Sequence, residues 1–288
     1  MKLVLNNNSV NIATDGNCSF LWKEKIMILV YFLIALLATI VGSMAGLGGG
    51  VIIKPLLDLL GNYDVSTISV LSSFTVFSMA VVSIIKQIRY KFKIEVRKTV
   101  LIGSGSILGG ILGDSIMTLV LNNSSELNIA LIQNIILALL LFFVYIYMNN
   151  KDKYKSYRIE NSLFCIVIGI FLGAIASFLS IGGGPINVCI LTIFFSMGTK
   201  EAAVNSIVTI FFSQSSKLTK VVLTKGLAAY DLTMLPFMII GGILGGIIGA
   251  KLNRMLSSKI ILKVFNIVLL LLITLNVYNV IIIICKIR

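Results

Sequence analysis

The sequence contains no histidine, and only 12% of its 288 residues are charged. The missing imidazole removes the commonest transition-metal ligand and the usual side-chain acid or base near neutral pH. A hydrolytic set of Ser, His and Asp is therefore excluded. The glycine run at residues 46–50 also lacks the Lys-Ser or Lys-Thr ending that a phosphate-binding loop requires. These absences predict a protein that is not an enzyme and holds no metal or cofactor.

Cysteine is scarce as well, with four residues and no paired spacing: Cys18, Cys165, Cys189 and Cys285. Three of them lie in apolar stretches, where an unpaired cysteine behaves as a small buried residue. The spacing indicates neither a disulfide framework nor a zinc site.

Apolar residues are abundant. They make up 58% of the chain, and the mean hydropathy is +1.04, whereas an ordinary soluble domain carries roughly 25% charged residues. The net charge of +13 comes from Lys and Arg between the apolar stretches, as in the cytoplasmic loops of membrane proteins. No nucleic-acid-binding module accompanies it. The sequence predicts an all-α polytopic protein of the lipid bilayer without a nucleic-acid partner.

Eight apolar segments are long enough to cross a bilayer, which takes about 20 residues in a helix. Two shorter segments, 50–60 and 184–197, begin at glycine runs and are interpreted as re-entrant or half-membrane helices. The prediction is therefore two four-helix repeats, each with one additional half helix. The eight long segments are 26–45, 65–85, 99–121, 128–148, 162–180, 202–222, 230–250 and 260–285.

The two sets of segments resemble each other at offsets of 132 to 134 residues. The Gly-Gly-Ile-Leu-Gly sequence at 109–113 recurs at 241–245, and Ser72-Ser73 lies opposite Asn205-Ser206. An even number of spans per repeat predicts that the two halves point the same way. The predicted divisions are a polar N-terminal segment, membrane repeat 1, a basic cytoplasmic linker and membrane repeat 2, at 1–25, 26–148, 149–160 and 161–288.

Loop charge orients these spans, because Lys and Arg concentrate on the cytoplasmic side. Loops 86–98 and 151–158 are basic and are predicted to be cytoplasmic, whereas 61–64 and 122–126 contain no Lys or Arg and are predicted to be external. The basic loop at 251–263 faces outward in this arrangement. A ten-span alternative with inverted halves corrects that loop. It places Lys217, Lys220, Lys225 and the N-terminal lysines outside.

Two glycine runs, at 46–50 and 182–184, interrupt the apolar stretches. A broken helix is tolerated in a membrane only where it is buried in protein or lines a polar cavity, and matching breaks in two halves indicate a transport site. Free amides at the start of a half helix attract anions, although glycine also permits close packing. The predicted substrate-binding glycines are Gly48, Gly49, Gly50, Gly182, Gly183 and Gly184.

Polar side chains near the breaks complete the predicted site. Lys54 is either a counter-charge for the substrate or a lysine that reaches the membrane interface near Asp58. Asn187 either contributes an amide to the site or caps local backbone. Hydroxyl and amide groups that follow each break are predicted to line the site, although such groups also join membrane helices. They belong to Ser72, Ser73, Asn205 and Ser206.

These motifs resemble those of the TauE/SafE sulfite-exporter and sulfonate-permease family. The resemblance rests on the Gly-Leu-Gly-Gly-Gly run ahead of Lys54-Pro55-Leu56-Leu57 and on the segment 181–187, and it extends over roughly residues 26–285. Ser180 stands where a glycine is common, and Cys189 stands where the first repeat has Pro55. The resemblance implies a multi-pass secondary transporter of the inner or cell membrane for small organic or sulfur-containing anions.

The sequence therefore favours a carrier of small anions, of the sulfite or sulfonate type, that works by alternating access between two repeats. A carrier of a cation or neutral solute, with Asp114 or Asp58 as its buried charge, is the alternative within transport. A scaffold or assembly factor that transports nothing is the alternative outside it.

Overall fold

The computed structural model describes residues 12–91, 95–123, 126–179, 183–224 and 226–287, so that residues 180–182, with Gly182 of the second glycine run, lie outside it. The regular elements of the described residues are ten α-helices and two 3-10 turns, Lys151–Lys153 and Leu227–Ala229. The helices are α1 (Ile12–Ala45), α2 (Gly50–Leu60), α3 (Val65–Arg89), α4 (Val96–Asn123), α5 (Glu126–Asn149), α6 (Ser162–Phe178), α7 (Gly184–Phe195), α8 (Thr199–Thr224), α9 (Leu235–Met255) and α10 (Ser258–Ile287).

The long helices follow the predicted apolar segments, and each short helix begins at the last glycine of a run, α2 at Gly50 and α7 at Gly184. Among the described helices, six are long and apolar enough to cross a membrane: α1 from Lys25 onward, α3, α4, α5, α9 and α10. The helix α8, which carries Lys217 and Lys220, is not among them. Large apolar side chains such as Phe143 and Leu163 are exposed on the outer surface, which suits contact with lipid. The fold is that of a multi-pass membrane protein.

Each short helix runs back alongside the long helix that precedes it. After α2, the Asn62 side-chain amide donates to the Tyr31 hydroxyl of α1 over 3.2 Å, and the ring of Tyr63 packs edge-on against Tyr31. After α6, the end of α7 returns to the segment before α6, where the Tyr157 amide donates to the Ile193 carbonyl over 2.7 Å. Loop 61–64 therefore lies level with residues 27–31, near the start of the apolar part of α1, rather than with the end of α1.

The glycines at four-residue spacing pack helices from opposite halves against each other. On α4, Gly105, Gly109 and Gly113 lie against the carbonyl groups of Ile166, Ile170 and Ala174 of α6. Residue numbers rise together along this contact, so that α4 and α6 run in the same direction. The contact of α9 with α1 repeats the pattern, since Gly241 lies against Phe32 and Gly249 against Ile40. The two halves therefore interlock through glycine packing.

The helices α3 and α8 run in opposite directions. Lys217 of α8 donates to Ser69 near the start of α3, whereas Phe211 stacks on Phe77 farther along α3. On its other side, α3 runs in the same direction as α9 and α1, because Gly242 lies against Thr75 and Gly246 against Met79. The helix α4 runs in the same direction as α8, because Thr99 bonds Asn205 and, farther along both helices, Ser115 bonds Lys220. Hence α1, α3 and α9 point one way, and α4, α6 and α8 the other.

The prediction that the two halves point the same way is therefore wrong. Each short helix runs back toward the face from which the helix before it came. Each half therefore consists of five helices of alternating direction. An odd number of reversals inverts the second half relative to the first. The ten-helix alternative with inverted halves describes this arrangement.

The helix ends form two faces. The basic face comprises the loops that join α3 to α4, α5 to α6, α7 to α8 and α9 to α10; the opposite face comprises the loops from α2 to α3, α4 to α5 and α8 to α9. The basic loop at 251–263 thus joins 86–98 and 151–158 on one face. Lys217 and Lys220, which argued against this arrangement, are not loop charges, because Lys217 is only 4% exposed and Lys220 pairs with Asp114.

Labelling of single cysteines is expected to place Ser257→Cys and Lys155→Cys on one side of the membrane and Asn62→Cys on the other. All three positions are exposed, and the first two lie on the basic face. The measurement is reaction with a membrane-impermeant maleimide in intact cells and in inverted vesicles, in a variant without native cysteines because Cys285 is exposed. Labelling of Ser257→Cys and Asn62→Cys from the same side would contradict this topology.

Candidate functional site

The two glycine breaks meet inside the protein. The Ser206 hydroxyl of α8 lies 2.8 Å from the Gly46 carbonyl and 3.4 Å from the Gly184 carbonyl, and it donates between them. The Leu47 carbonyl lies so close to Gly184 that a Cβ at that position would overlap it. The structure thus brings together three features singled out in the sequence: the first break, the start of α7 and Ser206.

The backbone of the first break is folded tightly onto α1. Gly46, Gly48 and Gly49 have φ values of +75°, +80° and +61°, a region that favours glycine. The Gly48 amide donates to Gly42, the Gly50 amide donates to Gly48, and the Gly49 nitrogen lies against Gly42. In this structure the Gly48 and Gly50 amides are thus bonded within the break rather than open to an anion.

The second break retains an unpaired acceptor. Gly183 has φ of +73°, and its carbonyl accepts a hydrogen bond from the backbone N–H of Asn187 in the first turn of α7. The Asn187 side chain is buried, and its Oδ1 finds no hydrogen-bond donor in the part of the chain that the structure describes. A Cβ at Gly183 would lie 3.1 Å from this oxygen. Asn187 thus points a polar atom at the break.

Lys54 joins three helices. Its ammonium group donates to the Gln133 side chain of α5 over 2.5 Å and to the Leu179 carbonyl at the end of α6 over 3.3 Å. Gln133 in turn donates to the Phe178 carbonyl over 2.6 Å. Lys54 is 3% exposed, so it does not reach the membrane interface. Its hydrogen bonds go to protein acceptors rather than into a cavity.

Lys54→Met is therefore expected to destabilise the protein by about 1–3 kcal/mol, because the buried Leu179 carbonyl and Gln133 oxygen lose their donor. The measurement is the thermal unfolding midpoint of purified protein in detergent. Lys25→Met, a change of the same residue type at an exposed position, is the matched control. An unchanged midpoint accompanied by weaker transport would instead favour a role for Lys54 as substrate counter-charge.

Two of the predicted hydroxyl and amide residues, Ser73 and Asn205, form hydrogen bonds to helix neighbours. Asn205 accepts from the Thr99 hydroxyl of α4 over 2.5 Å and donates to the Glu201 carbonyl. Ser73 donates to the Ser69 carbonyl one turn back, and Ser72 is buried. Asn205 therefore joins α8 to α4, which is the structural use of such residues in membrane bundles.

A cavity of about 440 Å³ opens at the opposite face between α3, α4 and α8. One part of its lining is apolar and includes Val70, Met117 and Val221. The polar part of the described lining is formed by Ser66, Ser69, Asp114, Ser115, Thr118, Lys217, Lys220, Thr224 and Tyr230.

The two lysines of the cavity differ in their partners. Lys220 lies 3.0 Å from the Asp114 carboxylate and also donates to Ser115 over 3.0 Å. Lys217 is buried and donates to the Ser69 hydroxyl over 2.5 Å. Within the described ranges no carboxylate lies within ion-pair distance of Lys217. Its ammonium is thus an excess positive charge, and it can bind an oxyanion through charge-assisted hydrogen bonds.

Sequence reasoning missed Lys217, because its charge was used only to judge which side of the membrane the end of segment 202–222 faces. The signal was present, since Ser213, Ser216, Lys217 and Lys220 recur at three- and four-residue spacing within an apolar segment and thus share one helix face. Asp114, which entered the sequence analysis only as the buried charge of an alternative cation or neutral-solute carrier, is the partner of Lys220.

The buried position of Cys165 and Cys189 agrees with their interpretation as small buried residues, whereas Cys285 is exposed. In the described part of the chain, no group of three or more Cys, Asp or Glu side chains is placed to hold a metal ion.

Comparison with known families gives one match. The family model for the sulfite exporter TauE/SafE matches residues 31–277, which extend from α1 to α10 and include both breaks and the cavity. No curated protein and no solved structure matches the chain. Because the family match covers most of the sequence, the protein belongs to the sulfite exporter TauE/SafE family of membrane transporters.

Proposed function

We propose that this protein carries a small organic or sulfur-containing anion across the cell membrane. The observation that carries the proposal is Lys217, a buried ammonium group that lines a cavity without a carboxylate partner among the described residues. A charge inside a membrane protein is costly, and an anion that enters the cavity would compensate it. The family, whose name refers to sulfite export, supports a sulfite or sulfonate group as the anionic part.

We infer that transport proceeds by alternating access between inverted repeats, α1–α5 and α6–α10. Equivalent helix pairs support this, because α1 packs on α9 as α6 packs on α4, and α3 and α8 cross at the centre. Inverted repeats of this kind let one half rock against the other around a central site.

The inverted repeat relates the cavity between α3, α4 and α8 to a position at the basic face between α8, α9 and α3. At that position, protein contacts close the space. Arg254 lies over the Tyr90 ring, 4.7 Å from its centroid, and the Arg254 carbonyl accepts from Lys200 over 3.2 Å. Gln87, which precedes Lys220 by the repeat offset of 133 residues, is buried there, and neither of its amide atoms has a partner in the described chain. These contacts favour a state that is open to the opposite face and shut at the basic face.

The residues that the sequence predicts for the site at the glycine breaks are also proposed to contact the substrate. We propose that the joined breaks form the barrier between the two access routes and that the substrate passes them when the halves rock. The residues proposed to contact it there are Gly48, Gly49, Gly50, Lys54, Ser72, Ser73, Gly182, Gly183, Gly184, Asn187, Asn205 and Ser206. By the charge of its loops, the basic face is proposed to be cytoplasmic.

The test uses purified protein with sulfite, sulfate, alkyl sulfonates and carboxylates, first as ligands and then as solutes taken up by proteoliposomes. A ligand present at 100 times its Kd stabilises the native state by about 2.7 kcal/mol, which raises the unfolding midpoint. Saturable uptake of at least one anion is expected. Uptake of cations or neutral solutes alone, or of nothing in the panel, would reject the proposal.

A further inference from the structure

The charges of the cavity leave one positive charge in excess. Among the described residues, its charged lining residues are Lys217, Lys220 and Asp114, and the ion pair between Lys220 and Asp114 compensates two of these three charges. Lys220 and Asp114 are partly buried, with side-chain exposures of 26% and 22%. The cavity thus contains a neutral pair beside a single uncompensated ammonium.

Other carboxylates on this face lie outside the lining. Asp64 accepts from the Thr67 amide at the start of α3. Asp231 is exposed, and the hydroxyl and amide of Thr233 lower its pKa by hydrogen bonding. Neither of these carboxylates lines the cavity, and salt screens exposed charges over about 8–10 Å.

We propose that the Asp114–Lys220 pair makes this cavity selective for organic monoanions, such as alkyl sulfonates or carboxylates, over dianions. The proposal rests on the proposed function, because it concerns the substrate of the same site. A monoanion beside Lys217 compensates the excess charge completely. A dianion brings a second negative charge, which must either stay uncompensated or draw Lys220 away from Asp114.

Drawing Lys220 away is unfavourable because it leaves the Asp114 carboxylate unpaired in a partly buried place, beside the incoming dianion. Removing one partner of a desolvated ion pair costs far more than the pair itself contributes. The remaining lining supports the same substrate class, since Val65, Val70, Met117 and Leu119 offer apolar contact to the body of an organic anion and nothing to a bare inorganic one.

The test compares two anions of different charge at neutral pH, propanesulfonate and sulfate, by calorimetric titration of the purified full-length protein. Wild type is expected to bind propanesulfonate at least tenfold more tightly than sulfate. Asp114→Asn releases Lys220 and adds a second uncompensated cation, so that sulfate affinity should rise at least tenfold relative to propanesulfonate. Asp114→Asn combined with Lys220→Gln restores the single excess charge and should restore the wild-type preference.

Glu160→Gln is the matched control, because it makes the same change in charge at an exposed position on the basic face. Its affinity ratio should equal that of wild type. Should Asp114→Asn fail to fold, Lys220→Gln replaces it. The described cavity charges then sum to zero, so both anions should bind at least tenfold more weakly, and sulfate should lose more affinity than propanesulfonate because its charge is twice as large; an unchanged affinity ratio would overturn the proposal.

Two other results would overturn the monoanion proposal: wild type that prefers sulfate, or a folded Asp114→Asn protein with an unchanged ratio. Both still involve anion binding, so the proposed function survives them. Absence of binding by every anion tested would reject the proposed function and this inference together.

Discussion

Lys217→Met is expected to lower the affinity for the transported anion by one to two powers of ten, which corresponds to about 1.4–2.8 kcal/mol. Methionine keeps much of the apolar stem but removes the ammonium group that lines the cavity beside Ser69. The folded state should not suffer, because in the empty protein this charge has no carboxylate partner among the described residues, and burying an unpaired charge is costly. Ligand titration and the unfolding midpoint of the empty protein measure the two effects.

Lys217→Arg should retain part of the affinity, because it keeps the charge on a larger, forked group. Lys155→Met, at an exposed position on the basic face, should leave the affinity unchanged. Wild-type affinity in a folded Lys217→Met protein would show that the cavity is not the anion site. A large fall in its unfolding midpoint would assign Lys217 a structural role instead.

The helices and their interruptions were predictable from local sequence. A long apolar segment indicates a membrane helix, because every backbone group in the bilayer must be hydrogen-bonded within the helix. Glycine runs interrupt helices, because glycine readily adopts positive φ and is unfavourable inside a helix. Both breaks fall where the sequence places them, at residues 46–49 and just before Gly184.

The relative direction of the halves was not predictable by counting loop charges. The count treats each Lys or Arg as a charge in water, but Lys217 and Lys220 lie along a helix and find partners in Ser69, Asp114 and Ser115. Only tertiary contacts distinguish a lysine in a loop from a lysine that lines a cavity. Counting Lys217 and Lys220 as external charges therefore weighed against the inverted arrangement of the halves. Neither residue was in the predicted site.

The individual roles of the predicted polar residues also depend on tertiary partners. Sequence offered a choice for Lys54 between substrate contact and the membrane interface, whereas its hydrogen bonds in the structure go to Gln133 and Leu179, which are far from it in the chain. For Ser206, position after a break was informative, because the breaks themselves supply the carbonyl groups that it bonds.

Gly184→Ala is expected to destabilise the protein by about 3 kcal/mol or more and to abolish transport. The new Cβ would overlap the Leu47 carbonyl of the first break. The obstacle is backbone that is completely buried, so it cannot yield by changing a rotamer as a long side chain does. Overpacking of a tight core usually costs about 1–3 kcal/mol, and this site falls at the upper end because two chain breaks must separate.

The matched control is Gly198→Ala. Gly198 is exposed and has no positive φ, and no atom lies within 4 Å of the position that an alanine Cβ would occupy. Unfolding midpoints and proteoliposome uptake are measured for both variants. The control should match wild type in both, whereas Gly184→Ala should unfold at lower temperature and lose uptake. Because Ser206 bonds both breaks, Ser206→Ala should shift the midpoint in the same direction by a smaller amount. Wild-type stability and transport in Gly184→Ala would show that the two breaks do not need to touch.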